Sequence, residues 1–190
     1  MKKLLLIAIV FALLLPTALF ASGQGEGEAE DDGIVIGMSV PGLQFPFFVT
    51  MRDQAEDKAA ELGVELLFAD GQNDAAKQTS DIESFIAQGV DGILISPMTV
   101  DALVPVMERA VEAGIAVASV DRKANTDEIL VHVGADNVEG GRSAARYIID
   151  ALGGSGRVIE LEGTPGSSAA IDRKSGFDEA PAAAAAPPPV

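Results

Sequence analysis

Two groups of side chains in this sequence have the chemistry to hold a small polyhydroxylated molecule. One is the aromatic run Phe45-Pro46-Phe47-Phe48, and the other is the pair Asp121-Arg122. Aromatic rings cover the apolar C–H face of a sugar ring, while a carboxylate and a guanidinium satisfy its hydroxyls through charge-assisted hydrogen bonds. Spacing alone leaves plainer readings equally open. Phe48 falls on the apolar face of a helix and suits core packing, with Phe45 and Phe47 freer to face a cleft. Asp121-Arg122 also suits a surface ion pair, which is worth little.

Other chemistries lack their residues. His132, the one histidine, lies inside a strand pattern, where a structural role fits better than catalysis. No G-x-S-x-G elbow with a late histidine is present, so a hydrolase triad is excluded. Gly163-Thr-Pro-Gly-Ser-Ser168 lacks the Gly-Lys-Ser/Thr ending of a phosphate loop, and no G-x-G-x-x-G follows the first strand. Without cysteine there is no dense zinc-ligand cluster, and no EF-hand pattern occurs. The expectation is a protein that is not an enzyme, with no cofactor and no metal.

The elements that must position these residues repeat along the chain. Short β-branched runs at Ile34–Val40, Val64–Ala69, Gly92–Ser96 and Ile115–Val120 alternate with amphipathic helices. The runs are continuously apolar, as strands of a parallel sheet covered on both faces are. The first helix carries Phe48, Met51, Ala55, Ala59 and Leu62 at steps of three and four. Ile82, Phe85 and Ile86 mark the second helix, and Leu103, Met107, Ala110 and Val111 the third. Gly63, Gly89 and Gly114 stand where helix C-termini take a left-handed residue. This spacing predicts an α/β fold, a doubly wound parallel sheet with right-handed crossovers. Ligands of such sheets bind outside the carboxyl ends of the strands. Those ends lead into Pro41–Phe48, Pro97-Met-Thr-Val100 and Asp121-Arg122.

A second set of the same elements is expected after Asp121. Leu130–Gly134 reads as a strand, Asn137–Leu152 as a helix with Asn137 at its N-cap, Arg157–Glu162 as a strand, and Ser168–Ala180 as a helix. The first lobe is thus placed at 33–122, with a linker and the start of a second lobe at 123–180.

The termini carry their own signals. Lys2 and Lys3, the apolar run Leu4–Leu15 and the small residues ending Ala21-Ser22-Gly23 have the layout of a cleavable export signal over 1–23. The run is shorter than the ~20 residues of a membrane span. The expectation is cleavage near Gly23, a periplasmic location and no stable membrane insertion afterwards. Residues 24–32 read as an acidic flexible leader, and 181–190 as an Ala/Pro-rich tail unable to carry a helix through its prolines. The net charge is −16, from 13 basic and 29 acidic residues. That balance argues against nucleic acid or an anionic membrane as a partner.

Five runs together resemble one family. They are Gln44-Phe-Pro-Phe-Phe-Val-Thr-Met-Arg52, Gly92-Ile-Leu-Ile-Ser-Pro97, Val120-Asp-Arg122, Gly134-Ala-Asp-Asn-Val-Glu-Gly-Gly141, and Gly163–Arg173 followed by Gly176-Phe177. In order, from Ile34 to about Ala180, they look like the ribose-binding-protein family, the type I periplasmic solute receptors of sugar ABC transporters. The resemblance implies two α/β lobes joined by a hinge, with a monosaccharide held between them for permease subunits in the membrane. A ligand-presenting receptor for a chemoreceptor or sensor kinase is the alternative role. It further implies that Phe47 and Phe48 line the sugar face, that Asp121 and Arg122 bind hydroxyls and ring oxygen, and that Arg173 reaches in from the second lobe. Asp136 and Asn137 fall near the first hinge crossing. Phe45 stands where ribose binders usually have asparagine, which points away from ribose itself and toward a less polar or larger ligand edge. The second lobe is only begun before Pro181. On this reading the chain is C-terminally truncated and expected to hold a ligand poorly by itself.

Overall fold

The computed structural model describes residues 33–185, with side chains to Ala180; the expected export signal, acidic leader and last residues of the tail lie outside the described residues. Five strands form one sheet: β1 (Val35–Val40), β2 (Glu65–Asp70), β3 (Gly92–Ile95), β4 (Ala116–Val120) and β5 (Val131–Val133). Their order is β2-β1-β3-β4-β5 and every pairing is parallel. The crossovers α1 (Pro46–Leu62), α2 (Ala75–Gln88) and α3 (Val104–Glu112) connect the first four strands. Two further helices, α4 (Asn137–Ala151) and α5 (Ser168–Ala185), follow β5.

Pleat alternation divides the strand side chains between two cores. Met38 and Val40 pack with Phe48 of α1 on one face. Ile93, Ile95 and Val117 pack with Ile82, Phe85, Val106 and Met107 of α2 and α3 on the other. The sheet is therefore wound on both sides, as the continuous apolar runs require. Each fully buried side chain such as Met38, Ile82 or Leu103 contributes about 1.5–3 kcal/mol. Helix ends follow local chemistry. Asp74 caps α2 by accepting the Ala76 N–H at 2.7 Å. Gly63 and Gly89, both at φ 69°, close α1 and α2 in the left-handed conformation.

Several expectations are corrected. Leu130–Gly134 does not open a second sheet; its core, β5, pairs with β4 and becomes the fifth strand of the first. Arg157–Glu162 forms no strand. A strand is stable only with a ladder partner, and none pairs with it among the described residues; Ile159 and Leu161 are 94% and 92% exposed. The N-cap of α4 is Asp136, whose Oδ1 accepts the Glu139 N–H at 2.9 Å, while Asn137 is the first helical residue and buried. Leu62 ends α1 exposed rather than in the core. The run of alanines, the strongest helix formers, carries α5 past Pro181 to Ala185.

The last two helices cross at glycines. A Cβ on Gly141 would stand 1.9 Å from the Arg173 carbonyl oxygen, and one on Gly176 would stand 1.9 Å from that of Val138. Only a residue without a side chain allows this approach of backbones. The crossing seats α5 beside the carboxyl end of the sheet, where the Val100 N–H donates to the Gly166 carbonyl at 2.9 Å and the Lys123 N–H to Ser168 Oγ at 2.8 Å.

Candidate functional site

A cleft of about 720 Å³ opens at the carboxyl ends of β1 and β4. Its first wall comes from the loop after β1 and the start of α1. Pro46 opens that helix, a position where its missing N–H costs nothing. Phe45, Phe47 and Phe48 therefore gather around one helix N-terminus. Phe48 meets Phe45 edge-on at 6.1 Å between ring centroids and Phe47 at 5.2 Å. Phe47 is 56% exposed and Phe48 3%, yet both line the cleft. Phe48 thus belongs to the core and to the cleft wall at once.

Asp121 and Arg122 form the floor after β4. Asp121 has φ 62°, the left-handed region that costs most residues free energy and that Asp tolerates better than most. The turn brings both of these sequence neighbours to the cleft, although side chains of successive strand residues point to opposite faces. Arg122 is buried, its side chain 9% exposed. Its guanidinium lies 5.4 Å above the Phe48 ring centre, and Nη1 donates to the Met98 carbonyl at 3.1 Å. Nε stands 4.0 Å from Asp121 Oδ2, beyond hydrogen-bonding reach. Of the five N–H donors of Arg122, the others have no oxygen acceptor at bonding distance among the described residues.

Burial dominates both charges. It pushes the Asp121 carboxyl up from its ordinary value, against the pull of Arg122, then Arg173, then His132. It also pushes Arg122 down, with Asp121 offsetting part of the effect. His132 itself bonds through Nδ1 to Ser119 Oγ at 2.8 Å, one strand away from the cleft floor.

The facing wall is α5 and the segment before it. Ala169, Ala170, Arg173 and Phe177 lie on one side of that helix and line the cleft, beside Gly163 and Thr164. Lys174 lines it too, held at 3.1 Å by Glu162 and by Asp178 and at 3.4 Å by Glu160; these carboxylates raise its pKa, Asp178 most. All six expected ligand contacts, Phe45, Phe47, Phe48, Asp121, Arg122 and Arg173, therefore surround one space. Asp136 and Asn137 do not line it. They serve the backbone at the start of α4, where Asn137 Nδ2 donates to the Ala135 carbonyl at 3.3 Å. Lys174, Glu162 and Phe177 were not foreseen. The spacing of Ala169, Ala170, Arg173 and Phe177 was the available signal, since steps of three and four share a helix face. Among the described residues no group of three or more His, Cys, Asp or Glu side chains is placed to hold a metal, and no helix is long and apolar enough to cross a membrane.

An open parallel sheet with a cleft at its carboxyl edge, lined by aromatic rings and charged side chains, is the layout in which α/β proteins hold small molecules. Residues 36–187 match the periplasmic binding protein domain, and the chain belongs to that family, in its type I sugar-binding branch. The ribose import binding protein of Bacillus subtilis (strain 168) is 39% identical over 183 residues, covering 93% of this chain and 59% of the relative. Among solved structures, the Caulobacter myo-inositol binding protein bound to myo-inositol superposes with TM-score 0.76 at 38% identity, over 80% of this chain and 52% of that one. The fructose-binding periplasmic domain of a hybrid two-component system does so with TM-score 0.76 at 33% identity, over 80% and 51%. The chain thus spans little more than half the length of the relatives it matches.

Proposed function

We propose that the protein captures a monosaccharide or a cyclic polyol in this cleft, outside the inner membrane, for delivery to an ABC-type importer, with no chemical turnover. The observation that carries this reading is the Arg122 guanidinium, whose donors other than the one on Met98 meet no oxygen acceptor among the described residues, beside the Asp121 carboxylate and over the Phe48 ring, with the exposed Phe47 ring lining the same cleft. A hydroxyl-rich ring satisfies both charges from one side while its C–H face covers Phe47. Arg173 acts from the facing wall, and Asp136 and Asn137 stand where the chain crosses between lobes. Relatives named for ribose and myo-inositol support the ligand class. Phe45 in the aromatic wall favours a ligand with a larger apolar edge than ribose.

The test is calorimetric titration of the protein, in the full form its gene encodes, with pentoses, hexoses and inositols. Saturable binding of at least one is expected. Binding of an amino acid or nucleoside with no sugar bound would overturn the ligand class. Fractionation and N-terminal sequencing check the location; a mature start near Gln24 is expected, and a cytoplasmic protein retaining Met1 refutes it. A sensory role is the second reading, favoured by the likeness to the fructose-binding domain of a two-component system. Loss of sugar uptake on deletion separates import from sensing.

A further inference from the structure

Gln78 is an amide with no exposed surface. Burying an amide costs several kcal/mol unless its donors and acceptor are satisfied, and here they are. From the first turn of α2 it reaches across the carboxyl ends of β1 and β3. Its Nε2 donates to Ser39 Oγ at 3.2 Å and to the Ser96 carbonyl at 3.0 Å. Its Oε1 accepts the Met98 N–H at 2.7 Å. Room for the side chain is kept at Gly71, where a Cβ would stand 2.6 Å from Gln78 Cγ.

The link to Met98 is the informative one. Met98 is gripped twice, through its N–H by Gln78 and through its carbonyl by Arg122 Nη1 at 3.1 Å. Two bonds on one residue of an irregular loop leave its backbone little freedom to turn. That carbonyl is in turn the hydrogen-bonded anchor of a guanidinium whose neighbouring carboxylate lies 4.0 Å away. Gln78 does not line the cleft; the cleft residue that its bond to Met98 leads to is Arg122.

We infer that Gln78 is a positioning residue for the binding cleft: by fixing Met98 it sets the direction in which Arg122 presents its donors. This rests on the reading of the cleft as a sugar site. The plainer role is a tie between α2 and the sheet, which predicts a loss of stability without movement of Arg122.

Gln78→Met keeps length and volume and removes all three hydrogen bonds. In the ligand-free protein, exchange of the Arg122 Nη1–H that the Met98 carbonyl holds, followed by nitrogen-15 NMR, is expected to accelerate at least tenfold in this variant, while the Val117 amide of β4 keeps its rate. Unchanged Arg122 exchange in a folded variant overturns the inference. If Gln78→Met does not fold, Gln78→Asn withdraws the amide from Met98 by one carbon and is judged by the same criterion. For the sugar found by calorimetry, Gln78→Met is expected to raise Kd about tenfold in the wild-type background and by less than twofold in an Arg122→Met background. Equal factors in both backgrounds would show that Gln78 acts independently of Arg122 and sink the proposal. If no form binds any sugar, the reading of the cleft fails, and the exchange measurement still decides whether Gln78 positions Arg122.

Discussion

Arg122→Met separates affinity from stability. The guanidinium has five N–H donors, and one is engaged by the Met98 carbonyl. A hydrogen bond to a charged group is worth about 1.5–3 kcal/mol. Losing one such bond to a sugar hydroxyl therefore raises Kd about 10- to 100-fold, since each ~1.4 kcal/mol is a factor of ten. Stability responds differently. Removing one partner of a tightly paired buried ion pair costs about 3–5 kcal/mol, because the other charge is stranded. Here the pair is loose at 4.0 Å and the Asp121 side chain is 24% exposed, and Arg173 and His132 still act on its carboxylate. Arg122 also carries a burial cost that lowers its pKa, and methionine removes it while resting on the Phe48 ring. The two stability effects oppose, so the expected net change is within about 1 kcal/mol, or roughly 2–4 °C in Tm for a chain of this size. Calorimetry gives Kd and a thermal melt gives Tm. An affinity within twofold of wild type refutes the role of Arg122 in binding. A fall in Tm beyond ~10 °C would show instead that the guanidinium holds the fold.

Three further outcomes are expected. Phe47→Ala should weaken sugar binding severalfold with Tm nearly unchanged, because the ring is mostly exposed, whereas Phe48→Ala empties a core position and should cost about 3–5 kcal/mol on denaturant unfolding. Asp121 has a raised folded pKa, so the folded state holds its proton more tightly than the unfolded chain does, and its contribution to stability falls as pH rises from the ordinary value of 3.8 through the folded pKa. Asp121→Asn should therefore melt higher than wild type at pH 7, with the difference vanishing in acid, while binding sugar more weakly; a pH-independent difference in Tm counts against the argument. Gly141→Ala forces the α4–α5 crossing apart against the Arg173 carbonyl, and should cost about 1–3 kcal/mol and also weaken binding by shifting Arg173; an unchanged melt shows that the crossing is looser than described.

What the sequence made legible follows from which interactions are local. Strands β1 to β4 announce themselves because burial on both faces leaves runs such as Ile93-Leu94-Ile95 continuously apolar. Helix ends announce themselves through a glycine or an aspartate within one residue of the boundary. The pairing of β5 was not legible. Val131-His132-Val133 is too short to say which neighbour it joins, and only the register Val120↔Val133 assigns it to the first sheet. Asp136 and Asn137 are both good caps in isolation, and the choice fell to the one whose carboxylate reaches the Glu139 N–H.

The cleft was legible for a reason that also limits it. Carboxyl ends of parallel strands converge on one edge whatever lies between them, so Phe47 and Arg122 could be brought together without knowing a single long-range distance. The facing wall obeys no such rule. Arg173 reaches the cleft because Gly141 and Gly176 let two helices touch, and because Ser168 and Gly166 bond to the loops after β3 and β4. Each of those contacts is between residues distant in sequence, and none leaves a periodic trace. The expected strand Arg157–Glu162 fails for the same reason in reverse. Its residues have the β-branched, apolar character that a strand needs, but a strand is defined by its neighbour as much as by itself. With Ile159 and Leu161 turned to solvent, that stretch has apolar residues suited to a strand without the pairing that would bury them.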